Sequence, residues 1–313
     1  MQHVTLREVG LRDGLQSQSA FMPTNLKCAW ITAEFEAGVD EIEVSSLVPA
    51  KLLPQFADAE AVVAHAMAQP GLIVAVLVPN LRGAERGLAL GVHKLNYVLS
   101  VSESHNLSNV RRSTTESIAD FKRIVEAVRA SPLPPILCCG IATSFGCSIE
   151  GQVDEDRVRA VAMEIAAAGA DEIMLADTVG YANPDAVARV FAAVKREVGE
   201  MVVGAHFHDT RGLGLANAKA ALDVGVRHFD ASLAGLGGCP FAPGATGNIV
   251  SEDFAFLCES LGYDTGIDIE ALVRVRKYLA EGLPGTELLG NLAKAGLPVG
   301  FTPALRRIAR AAE

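Results

Sequence analysis

The sequence predicts an α/β fold, a (β/α)8 TIM barrel with a C-terminal helical extension. Short apolar runs alternate with amphipathic or Ala-rich stretches, giving eight strand–helix units over roughly 260 residues. Four helical stretches end on one punctuation, Ala37-Gly38-Val39, Leu90-Gly91-Val92, Ala168-Gly169-Ala170 and Val224-Gly225-Val226, each offering a glycine just past a helix end. An open doubly wound sheet is the alternative. Against it, the first strand leads into Gly10-Leu11-Arg12-Asp13-Gly14, too charged for a dinucleotide-binding turn.

Taken in order, strands are expected near Val4–Val9, Glu41–Val44, Leu72–Val78, Lys94–Val101, Ile136–Ala142, Glu172–Leu175, Val202–His206 and His228–Leu233. Helices are expected at Thr24–Ala37, Pro54–Ala68, Leu81–Leu90, Thr115–Ala130, Val153–Ala168, Pro184–Val198, Gly214–Val224 and Glu252–Leu261. No Ser/Gly-rich linker interrupts the series, so residues 1–265 are expected to form one barrel and residues 266–313 a helical extension packed on it. The extension holds a helix at Ile269–Glu281, Pro/Gly punctuation and a basic helix near Pro303–Ala312. Its Lys294, Arg306, Arg307 and Arg310 are read as solvated.

Half of the 313 residues are hydrophobic (50%) and mean hydropathy is +0.28, ample for a large core. A net charge of −10 and a pI near 5.3 argue against a nucleic-acid surface. The six cysteines contain no Cys-x-x-Cys pair, which suits a reducing compartment. Met1–Val4 runs straight into a strand, leaving no room for a leader, and the longest apolar runs are too short to span a bilayer. The expectation is a soluble, cytoplasmic protein with no membrane partner.

Chemistry belongs at the C-terminal ends of barrel strands. There the chain places Arg12 and Asp13, Glu43, Asn80, Ser102 and Glu103, Thr143, Asp177, His206 and His208, then Cys239 and Asn248. His206 and His208 stand at i, i+2, so in an extended backbone both imidazoles point the same way. Asp13, His206, His208 and Asn248 would supply two oxygens and two nitrogens to one divalent cation. A mixed O/N set without thiolate favours Mg²⁺ or Mn²⁺ over structural Zn²⁺. Glu43 and Asp177 would orient the imidazoles, although Glu43 could instead pair with Arg7 or Arg12. Cys239 lies in Gly235-Leu236-Gly237-Gly238-Cys239-Pro240, a glycine-rich loop suited to movement.

Three stretches carry a family resemblance: Glu8-Val9-Gly10-Leu11-Arg12-Asp13-Gly14-Leu15-Gln16, His206-Phe207-His208-Asp209-Thr210 and the Gly235–Pro240 loop. They resemble the 3-hydroxy-3-methylglutaryl-CoA lyase family of metal-dependent barrel lyases. The likeness runs from about Val4 to Tyr263 and includes Gly244-Ala245-Thr246-Gly247-Asn248. It implies that Asp13, His206, His208 and Asn248 hold the cation, and that Arg12 stabilises an enolate oxygen. It also implies that Glu43 and Asp177 support the site and that Cys239 is a mobile acid/base. The implied reaction is a retro-Claisen cleavage, in which a hydroxyl loses its proton, the C2–C3 bond breaks, and the acyl-CoA enolate is protonated as a keto acid leaves. The CoA thioester is substrate rather than cofactor, the setting is leucine degradation, and a homo-oligomer is expected. Arg12, Gln16, Thr143 and Arg211 are the expected substrate contacts.

The rim departs from the family pattern. Gln16-Ser17-Gln18-Ser19 replaces Gln-Asn-Glu-Lys, Arg211 replaces Tyr, and Ser104–Arg112 replaces a Phe- and Lys-bearing loop. Hydroxymethylglutaryl-CoA is the leading substrate and citramalyl-CoA the second. A Claisen-type synthase using acetyl-CoA and a keto acid, and a non-catalytic metal-binding barrel, are the other readings.

Overall fold

The computed structural model describes residues 2–237 and 247–304. Eight parallel strands close on themselves in sequence order: β1 (Thr5–Glu8), β2 (Glu41–Ser46), β3 (Ile73–Leu77), β4 (Lys94–Ser100), β5 (Ile136–Ala142), β6 (Glu172–Asp177), β7 (Val202–Phe207) and β8 (His228–Ala231). β8 returns to β1 with Asp230 opposite Arg7. Around them run α1 (Thr24–Glu36), α2 (Ala59–Met67), α3 (Leu81–Leu90), α4 (Glu103–Val110), α5 (Thr114–Arg129), α6 (Glu155–Ala168), α7 (Pro184–Val198), α8 (Gly214–Asp223) and α9 (Ser251–Ser260). The C-terminal stretch adds α10 (Ile269–Gly282) and α11 (Leu292–Ala295). The barrel and its extension are as the sequence predicts. Of the expected basic helix, Arg306, Arg307 and Arg310 lie outside the described residues, and Lys294 is exposed.

The repeated glycine punctuation works as expected. Gly38, Gly91, Gly169 and Gly225 have φ of +95°, +69°, +106° and +84°, the left-handed backbone that ends a helix without steric cost for glycine. At Gly38 a Cβ would also lie 2.3 Å from the Gly266 carbonyl, where the C-terminal extension meets the barrel.

Two helices were not foreseen, α4 and the short α11. Ser102 and Glu103, read above as strand-end working groups, start helix α4. Ser102 Oγ accepts the His105 N–H at 3.1 Å, and Glu103 Oε2 accepts the Thr114 N–H at 2.9 Å. Asn80 is likewise a cap, accepting the Gly83 N–H at 3.0 Å.

Between strands and helices lies a continuous apolar layer including Trp30, Phe121, Phe191, Phe207 and Phe254. Each large side chain withdrawn from water contributes about 1.5–3 kcal/mol. The layer continues past residue 265 through Ile267, Leu272, Val275 and Leu279, so α10 shares the barrel's core. Arg276 reinforces the contact by donating to Glu252 Oε1 at 2.6 Å and to the Leu289 carbonyl at 2.7 Å.

Inside the barrel the packing is polar instead. Lys94 Nζ reaches Glu41 at 2.7 Å and Glu172 at 2.8 Å, and Arg7 reaches across from β1 to Asn96 on β4 at 3.0 Å. Removing Lys94 would leave two buried carboxylates facing each other. Lys94→Met should therefore cost about 3–5 kcal/mol of stability, read as a lowered urea midpoint. An unchanged midpoint would show that Glu41 and Glu172 do not depend on this cation.

Candidate active site

The site is built by two short segments that leave β7 and β1. The β7 strand delivers His206 and His208 to the same side, with Nε2 atoms 3.0 Å apart. After β1 the chain makes one π-helical turn, Gly10–Gly14, in which the N–H groups of Arg12, Asp13 and Gly14 all turn toward the Val9 carbonyl. Gly10 is required there because a Cβ would lie 2.6 Å from Glu8 Oε1. That carboxylate accepts the Gly10 N–H at 2.7 Å, the Leu233 N–H at 3.0 Å and the Ser251 hydroxyl at 2.6 Å, joining the turn to the exit of β8.

The turn aims Asp13 at the histidines. One ligand atom from each of Asp13, His206 and His208 lies within 4.8 Å of the others, the arrangement a single cation needs. Asn248 joins through its amide nitrogen, which donates to Asp13 Oδ2 at 2.8 Å and to the Leu236 carbonyl at 3.1 Å. Its Oδ1 is buried without a hydrogen-bond partner among the described residues, so an oxygen beside the cluster is left for a ligand. Only one proton can sit between two imidazole nitrogens 3.0 Å apart, and a cation can take its place.

Electrostatics favours that exchange. Burial pushes the Asp13 carboxyl up, but Arg12, then His206 and His208, outweigh it and hold it down at about 2. Burial and the neighbouring His206 push His208 down to about 4, so it is neutral and ready to ligate. His206 is also pulled down by burial, yet the hydrogen bond and charge of Asp230, with Asp13, raise it overall.

The remaining predicted residues divide. Arg12 is in place, its Nε on Glu43 and its Nη1 on Asp13 at 2.7 Å. Glu43 therefore holds Arg12 and does not orient the imidazoles; its other oxygen accepts from Asn96 at 2.7 Å. Asp177 does not touch them either. It accepts the Tyr181 and Ala182 N–H groups at 2.8 and 3.1 Å, and burial raises it to about 6 against those bonds. Thr143 has φ +57°, and its hydroxyl is committed to the Ala142 carbonyl and the Ser102 N–H. Gln16 is half-buried just beyond the Arg12 turn. Arg211 is exposed, clamps the Val179 and Gly180 carbonyls at 2.9 and 3.1 Å, and stacks over Tyr181. With Phe145, Gln152, Tyr181, Asn183 and Arg189 it lines a cleft of about 940 Å³ on the loops after β5, β6 and β7. Cys239 lies outside the described residues.

Sequence reasoning missed the group that orients His206. Its Nδ1 faces Asp230 Oδ2 at 2.9 Å, and Arg7 grips both oxygens of Asp230, Nε at 2.7 Å and Nη2 at 2.9 Å. A carboxylate set inside the short strand His228-Phe229-Asp230-Ala231 was the available signal.

A closed (β/α)8 barrel with an Asp/His/His cluster at its strand ends defines the class, an enzyme barrel able to hold a cation. Comparison with known proteins narrows it. The family model HMGL-like matches residues 3–279. The chain is 39% identical over 307 residues to an (R)-citramalyl-CoA lyase of Chloroflexus aurantiacus, covering 95% of this chain and 96% of that one. It is 36% identical over 278 residues to the hydroxymethylglutaryl-CoA lyase YngG of Bacillus subtilis, covering 89% and 92%. In structure it is similar to an HMG-CoA lyase from Acinetobacter baumannii in complex with coenzyme A and 3-methylmalate, with TM-score 0.89, 40% identity and coverage of 96% and 97%. The chain belongs to the HMGL-like family, and it is a carbon–carbon lyase. No helix among the described residues is long and apolar enough to cross a membrane.

A raised His206 means that protons compete with a cation at the cluster. Divalent-cation affinity, measured by calorimetry, should level off in alkali and begin to fall already above the ordinary histidine value of 6.5 as pH drops. Constant affinity between about pH 5 and 8 would remove His206 from the ligand set.

Proposed function

We propose that this protein is a divalent-metal-dependent acyl-CoA lyase that cleaves 3-hydroxy-3-methylglutaryl-CoA, or a close analogue, to acetyl-CoA and a keto acid. The convergence of Asp13, His206 and His208 on one point carries the reading. Asn248 completes the set through its unpartnered oxygen. The O/N donors suit Mg²⁺ or Mn²⁺, which when bound would polarise a substrate carbonyl and acidify its hydroxyl.

The chain's own residues supply the rest. Arg12 is held by Glu43 and Asp13 on two of its three nitrogens, so the third can meet negative charge as an enolate forms. Cys239, on the glycine-rich loop, would protonate the enolate carbon once substrate is bound. The cleft bearing Arg211 is placed to receive the acyl-CoA beyond the reacting carbons. Residues 1–265 would be the catalytic barrel and 266–313 an extension that braces it. The active form is taken to be a cytoplasmic homo-oligomer.

A second substrate, citramalyl-CoA, is favoured by the 39% identity to a citramalyl-CoA lyase. Citramalyl-CoA would give acetyl-CoA and pyruvate by the same bond cleavage.

Chelation should abolish turnover and Mg²⁺ or Mn²⁺ restore it, and Asp13→Ala should weaken metal binding by at least about tenfold. A panel of hydroxyacyl-CoAs with products identified by mass separates the substrates. Full activity in metal-free protein would sink the reading, and thiol release from acetyl-CoA plus a keto acid would turn it toward a synthase.

Cys239→Ser should fold and bind metal normally while kcat falls about 10²–10⁴-fold, the usual loss with a general acid or base. A wild-type kcat would leave the loop as a lid without a proton to give.

A further inference from the structure

A neutral imidazole has one N–H, and the nitrogen that carries it cannot ligate a cation. His206 must therefore keep its proton on Nδ1 for Nε2 to face Asp13 and His208. Asp230 Oδ2, 2.9 Å from Nδ1, is an acceptor placed to hold it there. Asp230 is itself only 3% exposed. Arg7 fixes it as a bidentate partner, at 2.7 and 2.9 Å, so neither oxygen can turn away.

The contacts continue. The third Arg7 nitrogen donates to Asn96 Oδ1 at 3.0 Å, and Asn96 Nδ2 donates to Glu43 Oε1 at 2.7 Å. Glu43 Oε2 accepts from Arg12 Nε, and Arg12 Nη1 donates to Asp13 Oδ1 at 2.7 Å. Arginine only donates and a carboxylate only accepts, so the orientation of the Asn96 amide is dictated at both ends. The result is one relay through the barrel interior, from His206 on β7 to Asp13 beyond β1.

We propose that Asp230, Arg7 and Asn96 are positioning residues for the metal site: Asp230 and Arg7 set the ligating face of His206, and Asn96 ties that setting to the Glu43–Arg12–Asp13 arm. The inference rests on the metal-dependent reading above. It differs from a merely structural role, in which these residues only neutralise one another inside the barrel. Glu172 is the comparison, since it is buried in the same interior and pairs with Lys94, but it makes no contact with His206 or Asp13 among the described residues.

The test is Mn²⁺ affinity by calorimetry, with circular dichroism to confirm folding. In Asp230→Asn the single remaining carbonyl oxygen cannot accept from Arg7 Nε, Arg7 Nη2 and His206 Nδ1 together, so the hold on the Nδ1 proton is loosened. Affinity should fall about 10–100-fold, as when a group orienting a ligand histidine is lost. Glu172→Gln should lower stability but leave Mn²⁺ affinity unchanged. Equal affinity in wild type and Asp230→Asn, or equal losses in both variants, would overturn the proposal. Asn96→Leu, which separates the two arms without touching a ligand, should weaken Mn²⁺ binding less but in the same sense; wild-type affinity there would overturn the link between the arms. Should Asp230→Asn not fold, the ¹⁵N shifts of His206 in wild-type protein at alkaline pH decide the matter, with or without Mg²⁺. Nδ1 should carry the proton, and a proton on Nε2 would overturn the assignment. A wild-type protein that binds no Mn²⁺ at all would defeat the metal-dependent reading, while the His206 tautomer would still decide this one.

Discussion

Charge sealed inside a closed barrel must be paired, and the arrangement of this site follows from that constraint. A carboxylate or guanidinium cut off from water costs several kcal/mol unless an opposite charge and hydrogen bonds replace its hydration. Here Arg7, Glu41, Glu43, Lys94, Glu172 and Asp230 all lie inside, each at or below 8% exposure. No single strand can satisfy them, because inward positions on one strand alternate and stand too far apart. Partners therefore come from other strands: Arg7 of β1 with Asp230 of β8, and Lys94 of β4 with Glu41 of β2 and Glu172 of β6. Each pairing fixes two rotamers at once. Arg12, Asp13 and His206 are thereby oriented before any ligand arrives, and less reorganisation remains for catalysis.

The same constraint explains which parts were legible in the sequence. The eight units and their left-handed glycine caps were readable because they repeat, and caps are local chemistry. His206 and His208 were readable because two imidazoles two residues apart, at the end of an apolar run, have no simple packing use. Arg12 and Asp13 stood out in a turn that should otherwise have been glycine-rich. Arg7 and Asn96 gave no such sign, and Asp230 offered only a lone carboxylate inside a short strand. They sit within strands, and alternation alone cannot separate a lumen-facing position from one facing the helices. Pairing between residues 223 positions apart, as for Arg7 and Asp230, exists only after closure. Asp177 was misread for a related reason. A carboxylate at a strand end looks like a site group, yet its oxygens hold the N–H groups of Tyr181 and Ala182 and so shape the following loop. Helix α4 escaped because Glu103–Val110 is polar over most of its length, and its cap, Ser102, also stands at a strand end.

The Asp13/His206/His208 cluster and the cleft beside Arg211 are secured by separate sets of bonds. The first is fixed from below by the interior relay and from the side by Glu8. The second is tied through the loops: Asp177 to Tyr181 and Ala182, Thr143 to the Thr178 hydroxyl at 2.8 Å, and Arg211 to the Val179 and Gly180 carbonyls. Substitutions in the rim can therefore reshape the cleft without disturbing Asp13, His206 or His208. That separation fits a family in which relatives of 39% and 36% identity carry the names of lyases for different acyl groups. It also locates the departures of this chain. Arg211 lines the cleft and most of Ser104–Arg112 lies on α4, whereas Asp13, His206, His208 and Asn248 are those of the family pattern. Specificity can then vary with loops that tolerate change, while the chemistry stays with interior residues, where the loss of one charge would strand its partner.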